Sequence, residues 1–413
     1  MLPEFGFWEP TAETGAAPDH TMATFGNIEA QLAPEPVAEA PKLPTSQRKL
    51  KPGLTISNLA AEVFSVRFSP DGRYLAAGCG DGAIRVFNAS TGTESANLTS
   101  NSSNGLPTTV IRFRPHGGDR TKNVLLAANA NGGVEHWHVS SGKLLHAFPV
   151  KDDSNQVYAL DYDQKGDRFA TGGKDCAVRI YDEDSKKLLV TLKGGQGYGS
   201  HVAAGHSNRI FALKWHPTEP NCIVSGGWDN TIQIWDARKD GGAVRSFYGP
   251  HLCGDSLDIS PDGSKVLTGS WRPEDQVQLW DFNTGKLLET VPWASSLIHH
   301  RDPCMVYAAQ FSKHMPLVAA GGSGANEARV FDCERGNALV GVVAGLDRGV
   351  FTVDFAPGGK RLAVAGGDAA IRVLDVVDAA AWEKERPGTA APVEAPPAVP
   401  VAPAVAPPAV PAQ

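Results

Sequence analysis

The sequence predicts an all-β chain in which seven copies of one short-stranded unit stack radially and close into a ring. Three observations lead there. Period-two runs of β-branched and aromatic residues, cut by Pro, Gly and Asn, read as strands rather than helices. An aromatic-Asp end point, in variant forms, recurs at a spacing of 43 to 54 residues. With 413 residues, 44 glycines and 30 prolines, the chain is too long for one compact core and rich in turn formers.

The clearest copy is 205–237. It opens on Gly205-His206, alternates from Ile210 to Trp215, turns at His216-Pro217, passes Ser225 to a tight turn at Trp228-Asp229-Asn230, and stops on Trp235-Asp236. Gly-His at one end and Trp-Asp at the other resemble a WD40 repeat, one blade of a seven-bladed WD40 β-propeller. The resemblance implies that His206, Ser225, Asp229 and Trp235 form one buried hydrogen-bonded network. Such a network is structural, because each buried polar group left unsatisfied costs roughly 1–3 kcal/mol. His, Ser and Asp together also suggest a hydrolase triad. In a blade, however, the serine lies within a strand and the indole occupies its hydroxyl, so no free nucleophile faces a cleft.

In chain order the third-strand end points are Phe87-Asn88, Trp137-His138, Tyr181-Asp182, Trp235-Asp236, Trp280-Asp281, Phe331-Asp332 and Leu374-Asp375. The matching first strands are 63–68, 109–113, 157–162, 210–215, 256–259, 307–311 and 350–355, and most run into a proline turn such as Ser69-Pro70-Asp71-Gly72. The last unit lacks a fourth strand. Family practice supplies it from the N-terminal side, here 54–59 beside Ile371 to Leu374, which removes the exposed edges that invite aggregation. The propeller is thus expected over 51–377. An Ala/Pro/Glu-rich segment, 1–50, and an Ala/Pro/Val-rich tail, 378–413, are expected to be disordered.

The other copies depart from the pattern. Blades 1, 3 and 7 keep the turn acids Asp81, Asp175 and Asp368 without the histidine, and Asp153 stands at the histidine position of blade 3. Blade 5 has Thr268 and Trp280, His251 displaced by one position, and an Arg272-Pro273 insertion in its turn. Blade 6 is the weakest copy, with an irregular glycine-rich turn over 321–327. Apolar residues that replace whole polar sets leave nothing unsatisfied, so such degeneracy is tolerable.

Composition narrows the function. A net charge of −7 and a pI near 6.0 argue against a nucleic-acid or membrane-surface binder. The first ten residues lack the basic end and apolar core of a signal peptide. Six scattered cysteines without a Cys-x-x-Cys pair read as free thiols of a reducing compartment. His299-His300-Arg301-Asp302 and His136-x-His138 lack a third ligand at fixed spacing, so no metal and no cofactor is expected. Gly194-Gly195-Gln196-Gly197 lacks the Lys-Ser/Thr of a phosphate loop.

Function is therefore expected on surface side chains. The residue before each turn aspartate points to the top face, which gives Lys174, Trp228, Trp271 and Arg272 as a partner-binding set. Insertions at 99–108, 193–204 and 292–303, and the aromatic island Phe5-Gly6-Phe7-Trp8, are further candidates. Trp235-Asp236-Ala237-Arg238 resembles the signature by which some WD40 proteins dock on a cullin-type ubiquitin-ligase adaptor, with Arg238 the contact. The proline-rich tail reads as a spacer or as a ligand for a proline-binding module. Together these describe a non-enzymatic, rigid platform in a multiprotein cytoplasmic, cytoskeletal or ciliary assembly. A ubiquitin-ligase substrate receptor is the alternative, and a propeller hydrolase a weaker one.

Overall fold

The computed structural model describes residues 45–100, 104–116, 120–148, 155–195, 203–293 and 303–385. Asp153, the Phe5-Gly6-Phe7-Trp8 island, the His299 to Asp302 run, much of the three insertions and the proline-rich tail beyond 385 lie outside the described residues. Within them the strands form seven separate four-stranded antiparallel sheets. In six sheets the strands follow chain order, each hairpin-linked to the next. The innermost strands, among them Val63–Phe68, Ile210–Trp215 and Val350–Phe355, contact the innermost strands of both neighbours, so the sheets close as blades around a common axis.

Each blade presents alternate side chains to the blades on either side, and apolar clusters fill the spaces between sheets. Blades 3 and 4, for instance, share Ala170, Ile180, Ile210, Leu213 and Trp235, all buried. No single centre could bury this much chain.

The closing blade differs from its expected form. Its outer strand is Arg48–Ile56, antiparallel to Ile371–Asp378, with Thr55 opposite Arg372 and a bulge between Pro52 and Thr55. The strand therefore begins before the expected 54–59, inside the segment read as disordered. Pro52 and the Arg48-Lys49-Leu50-Lys51 run conceal it in the sequence. An edge strand tolerates both, because it is paired on one side only. Its partner continues through Val376, Val377 and Asp378. A short helix, Ala379–Glu385, follows, with Asp378 Oδ1 accepting from the Ala380 and Ala381 amides and Trp382 packed under the Lys51 ammonium at 4.9 Å.

Blade 6 is also more regular than expected. Its first two strands, Cys304–Phe311 and Leu317–Gly324, are the longest hairpin of the ring, with Cys304 opposite Gly324. The glycines read as an irregular turn lie in the second strand, where a Cβ on Gly322 would stand 1.9 Å from the Met305 carbonyl oxygen.

A candidate protein-interaction face

The blade-4 side chains meet as the resemblance implied. Asp229 can only accept, so His206 Nδ1 donates to its Oδ2 at 2.8 Å. That leaves Nε2 to accept the Ser225 hydroxyl proton at 2.8 Å, while the Trp235 indole N–H donates to Ser225 Oγ at 2.7 Å. Burial works to raise the Asp229 carboxyl. Hydrogen bonds from His206, Thr231 and the Ser207 amide outweigh it and hold the group below the usual carboxylate range. Ser225 is fully buried, so its hydroxyl reaches no cleft.

The turn acids of blades 1, 3 and 7 find a different partner, one the sequence reading missed. Asp81 pairs with Arg85, Asp175 with Arg179 and Asp368 with Arg372, each four residues on. The signal was present: Asp81-Gly-Ala-Ile-Arg85, Asp175-Cys-Ala-Val-Arg179 and Asp368-Ala-Ala-Ile-Arg372 share one pattern, whereas Asp229 has Gln233 at that place. Blade 5 keeps half of the blade-4 network, with Trp280 donating to Thr268 Oγ1 at 2.8 Å. His251 does not join it; its Nδ1 lies 2.6 Å from Asn230 Oδ1 of blade 4. His136 and Glu183 form a further buried pair at 2.8 Å, with Arg114 and Lys186 on the other carboxylate oxygen.

Two layers of side chains line the axis. Near the end of each innermost strand stand Arg67, Arg112, Asp161, Lys214, Asp258, Gln310 and Asp354. Asp161, Asp258, Gln310 and Asp354 each accept a backbone N–H from the next blade, those of Trp215, Phe311, Phe355 and Phe68. The three cations converge instead on Asp255, which bonds Arg67 directly, Arg112 at 2.7 Å, and stands 3.8 Å from Lys214. Burial pushes the Lys214 ammonium down to about 8, and the neighbouring Arg112 adds to the fall.

Above this charged layer the innermost strands of six blades carry a bulge near their start, between Val63 and Ser65, Thr108 and Val110, Val157 and Ala159, Ile210 and Ala212, Val306 and Ala308, and Val350 and Thr352. A bulge re-aims one side chain. The skipped residues are Phe64, Thr109, Tyr158, Phe211, Tyr307 and Phe351, a collar in which Phe64 stacks on Phe351 at 5.6 Å and Tyr158 on Phe211 at 4.6 Å. Opposite the blade-4 bulge, a Cβ on Gly227 would meet the Arg209 carbonyl oxygen at 1.9 Å, so the distortion requires glycine there.

Trp228 belongs to this collar. Its ring stacks on Phe211 at 5.1 Å, carries the Arg209 guanidinium at 5.0 Å, and donates its N–H to Cys253 Sγ at 3.1 Å, leaving it half-buried. Trp271 lies beyond His251, whose carbonyl takes the Trp271 amide, and its ring is 6.4 Å from Tyr307. Arg272 donates to the Gly249 carbonyl. Lys174 is exposed, and its amide donates to the Gln156 carbonyl. Arg238 lies away from this face, forked on Asp236 at 2.9 and 2.8 Å with its side chain 67% exposed. All six cysteines are free, and among the described residues no His/Cys/Asp/Glu cluster could hold a metal.

Comparison with known proteins agrees with the architecture. The family model "WD domain, G-beta repeat" matches residues 53–88, 142–182 and 199–236. The first match starts within the outer strand of one blade and the second one residue before such a strand, and both end in the third strand of the next blade, so these sequence repeats are staggered against the blades. Periodic tryptophan protein 2 of Arabidopsis thaliana is 25% identical over 56% of this chain and 23% of its own length. A guanine nucleotide-binding protein subunit beta of Zea mays is 24% identical over 41% and 55%. Cell division cycle 20.4, cofactor of APC complex, of Arabidopsis thaliana is 24% identical over 54% and 46%. The chain thus spans between about a fifth and about half of the length of these relatives. The matched repeats and the seven-sheet ring show a chain that carries WD40 repeats and folds as a seven-bladed β-propeller.

Proposed function

We propose that the chain is a non-enzymatic scaffold that recruits protein partners on the top face of its propeller, over blades 3 to 5. The observation that carries this reading is the arc Tyr158, Phe211 and Trp228, held half-buried by bulged strands and capped by Arg209. Preorganised aromatic and arginine side chains on a rigid frame lose little entropy when a partner covers them. Lys174, Trp271 and Arg272 border the arc and extend the surface. The burial of Ser225 beneath Trp235 weighs against the hydrolase reading. Curated relatives named for a G-protein subunit and for an APC cofactor are consistent with a scaffold, here proposed within a cytoskeletal or ciliary assembly. A ubiquitin-ligase substrate receptor is the second reading, favoured by the exposed Arg238 fork. Quantitative co-purification from cells tests both. With Trp228→Ala and Phe211→Ser the partner set should fall at least tenfold while the melt stays near that of the parent; retention of the whole set overturns the top-face reading. Loss of a cullin adaptor on Arg238→Ala alone would instead select the second reading.

A further inference from the structure

The rings of the top-face arc form one continuous stack. Tyr158 lies on Phe211 at 4.6 Å with the planes 17° apart, Phe211 on Trp228 at 5.1 Å and 29°, and Trp228 beside His251 at 6.4 Å and 15°. All four are partly exposed, yet Phe211 has a ring on each face, so the stack shows solvent chiefly its edges. Ring edges carry the positive end of the aromatic quadrupole. Three cations stand along the same line. Lys174 joins it through Gln156, whose carbonyl accepts the Lys174 amide and whose side-chain oxygen accepts the Tyr158 hydroxyl. Arg209 lies over Trp228 at 5.0 Å, and Arg272 donates to the Gly249 carbonyl, just before His251. Among the described residues none of the three is paired with a carboxylate. The acids nearby are already taken: Asp175 by Arg179, Asp229 by His206, and Asp255, at the collar position of blade 5, by Arg67 and Arg112.

From this unneutralised track we infer that the partner carries an extended acidic segment, whose carboxylates meet Lys174, Arg209 and Arg272 in turn across blades 3 to 5. The inference rests on the top-face reading and adds the chemistry of its partner. Carboxylates fit because the cations and the ring edges share one sign, and lysine and arginine without internal acids form charge-assisted hydrogen bonds with an incoming one. A single-stranded nucleic acid fits less well. Its bases bind by stacking on ring faces, and in this arc the faces are spent on one another. An extended chain also bends with the ring while turning alternate side chains to one side, whereas a straight helix would leave the curve.

The test uses the full chain and a fluorescein-labelled peptide of about twelve residues in which glutamate alternates with threonine, about 40 Å long when extended. Its control is a copy with lysine for every glutamate. Fluorescence anisotropy should show binding of the glutamate peptide only, weakened at least fivefold between about 50 and about 300 mM salt. Lys174→Glu changes an exposed side chain that makes no hydrogen bond or ion pair among the described residues, and should cost at least threefold in affinity with an unchanged melt. The combined variant Lys174→Glu, Arg209→Gln, Arg272→Gln should cost at least tenfold. Equal binding of both peptides, binding of neither, or full affinity in the combined variant overturns the inference. So does tighter binding of oligouridylate or of phosphatidylserine vesicles than of the glutamate peptide. Co-purification from cells separates this failure from that of the top-face reading. Loss of the same partners in the combined charge variant and in Trp228→Ala with Phe211→Ser supports the acidic segment. If the charge variant keeps partners that the aromatic variant loses, the acidic segment falls and the top face stands; if the aromatic variant keeps them as well, the top-face reading itself falls.

Discussion

Blades 4 and 7 solve the same packing problem with different materials. Blade 4 is continuous in sequence and ties its own strands with a buried polar chain, Asp229, His206, Ser225 and Trp235, every member of which is satisfied. Blade 7 has Val364 and Leu374 where blade 4 has Ser225 and Trp235, and its turn acid is served by the half-buried Arg372. It is held from outside. Arg48–Ile56 supplies its fourth strand, and Arg48 Nη1 and Ser46 Oγ both donate to the buried Asp332 of blade 6, at 2.8 and 3.0 Å. The cluster under that seam is apolar, with Val340, Val353, Leu362 and Val376 buried. A polar network specifies geometry within a blade, whereas strand exchange specifies which blade closes the ring.

The largest expected effect follows from removing the exchange. Deleting residues 48–56 exposes the edge of Ile371–Asp378 and uncovers Val373 and Val376, and should lower the melting temperature by more than about 10 °C in differential scanning calorimetry. A melt unchanged by the deletion would make the seam ornamental and erase the contrast with blade 4.

Next in size is Ser225→Ala, which strands both the His206 imidazole and the Trp235 indole N–H. With each group costing about 1–3 kcal/mol, the loss should be about 2–6 kcal/mol by chemical denaturation. The corresponding cut in blade 5, Thr268→Val, strands only the Trp280 indole and should cost about half as much. Arg372→Ala in blade 7 removes a partly exposed ion pair and should cost no more than about 1 kcal/mol. Equal costs for the three would mean that the blade-4 chain is not cooperative.

The smallest effect concerns the axis. Lys214 has a folded-state pKa of about 8, below the ordinary lysine value of about 10.5. Between those values the unfolded chain holds a proton that the folded chain has released, so the Lys214 contribution to stability rises with pH through that window and is flat below it. The difference in unfolding free energy between the parent and Lys214→Met should therefore shift in favour of the parent from pH 8 to pH 10. A difference independent of pH would place Lys214 in ordinary solvent.

What could be read from the sequence followed from periodicity and chemistry that act locally. His206, Ser225, Asp229 and Trp235 fall at fixed offsets within one unit, and the alternating runs gave the inner strands of the ring. Arg48 to Leu50 escaped because an edge strand is defined by its partner, and that partner is more than three hundred residues away. Asp255 escaped for a related reason. It occupies the collar position of blade 5, where the innermost strand shrinks to Leu257–Ile259, and its meaning lies in Arg67 and Arg112 across the axis. The arginine partners of the turn acids were legible, four residues from each acid, once the histidine pattern ceased to be the only template.

The layer of acceptors and cations around the axis also bears on how such a ring could change over generations. Asp161, Asp258 and Asp354 accept backbone N–H groups, which any blade offers at that position, so the address lies in the pairing of charged side chains. Lys214 faces Asp258 in the next blade at 3.9 Å. Arg67 and Arg112 of neighbouring blades share Asp255, so moving a single blade would part a cation from its carboxylate, while cutting the circle at a surface loop and rejoining the old ends would leave every pair intact. The hub thus acts as a combination lock on blade order, indifferent to where the chain starts and intolerant of its units trading places.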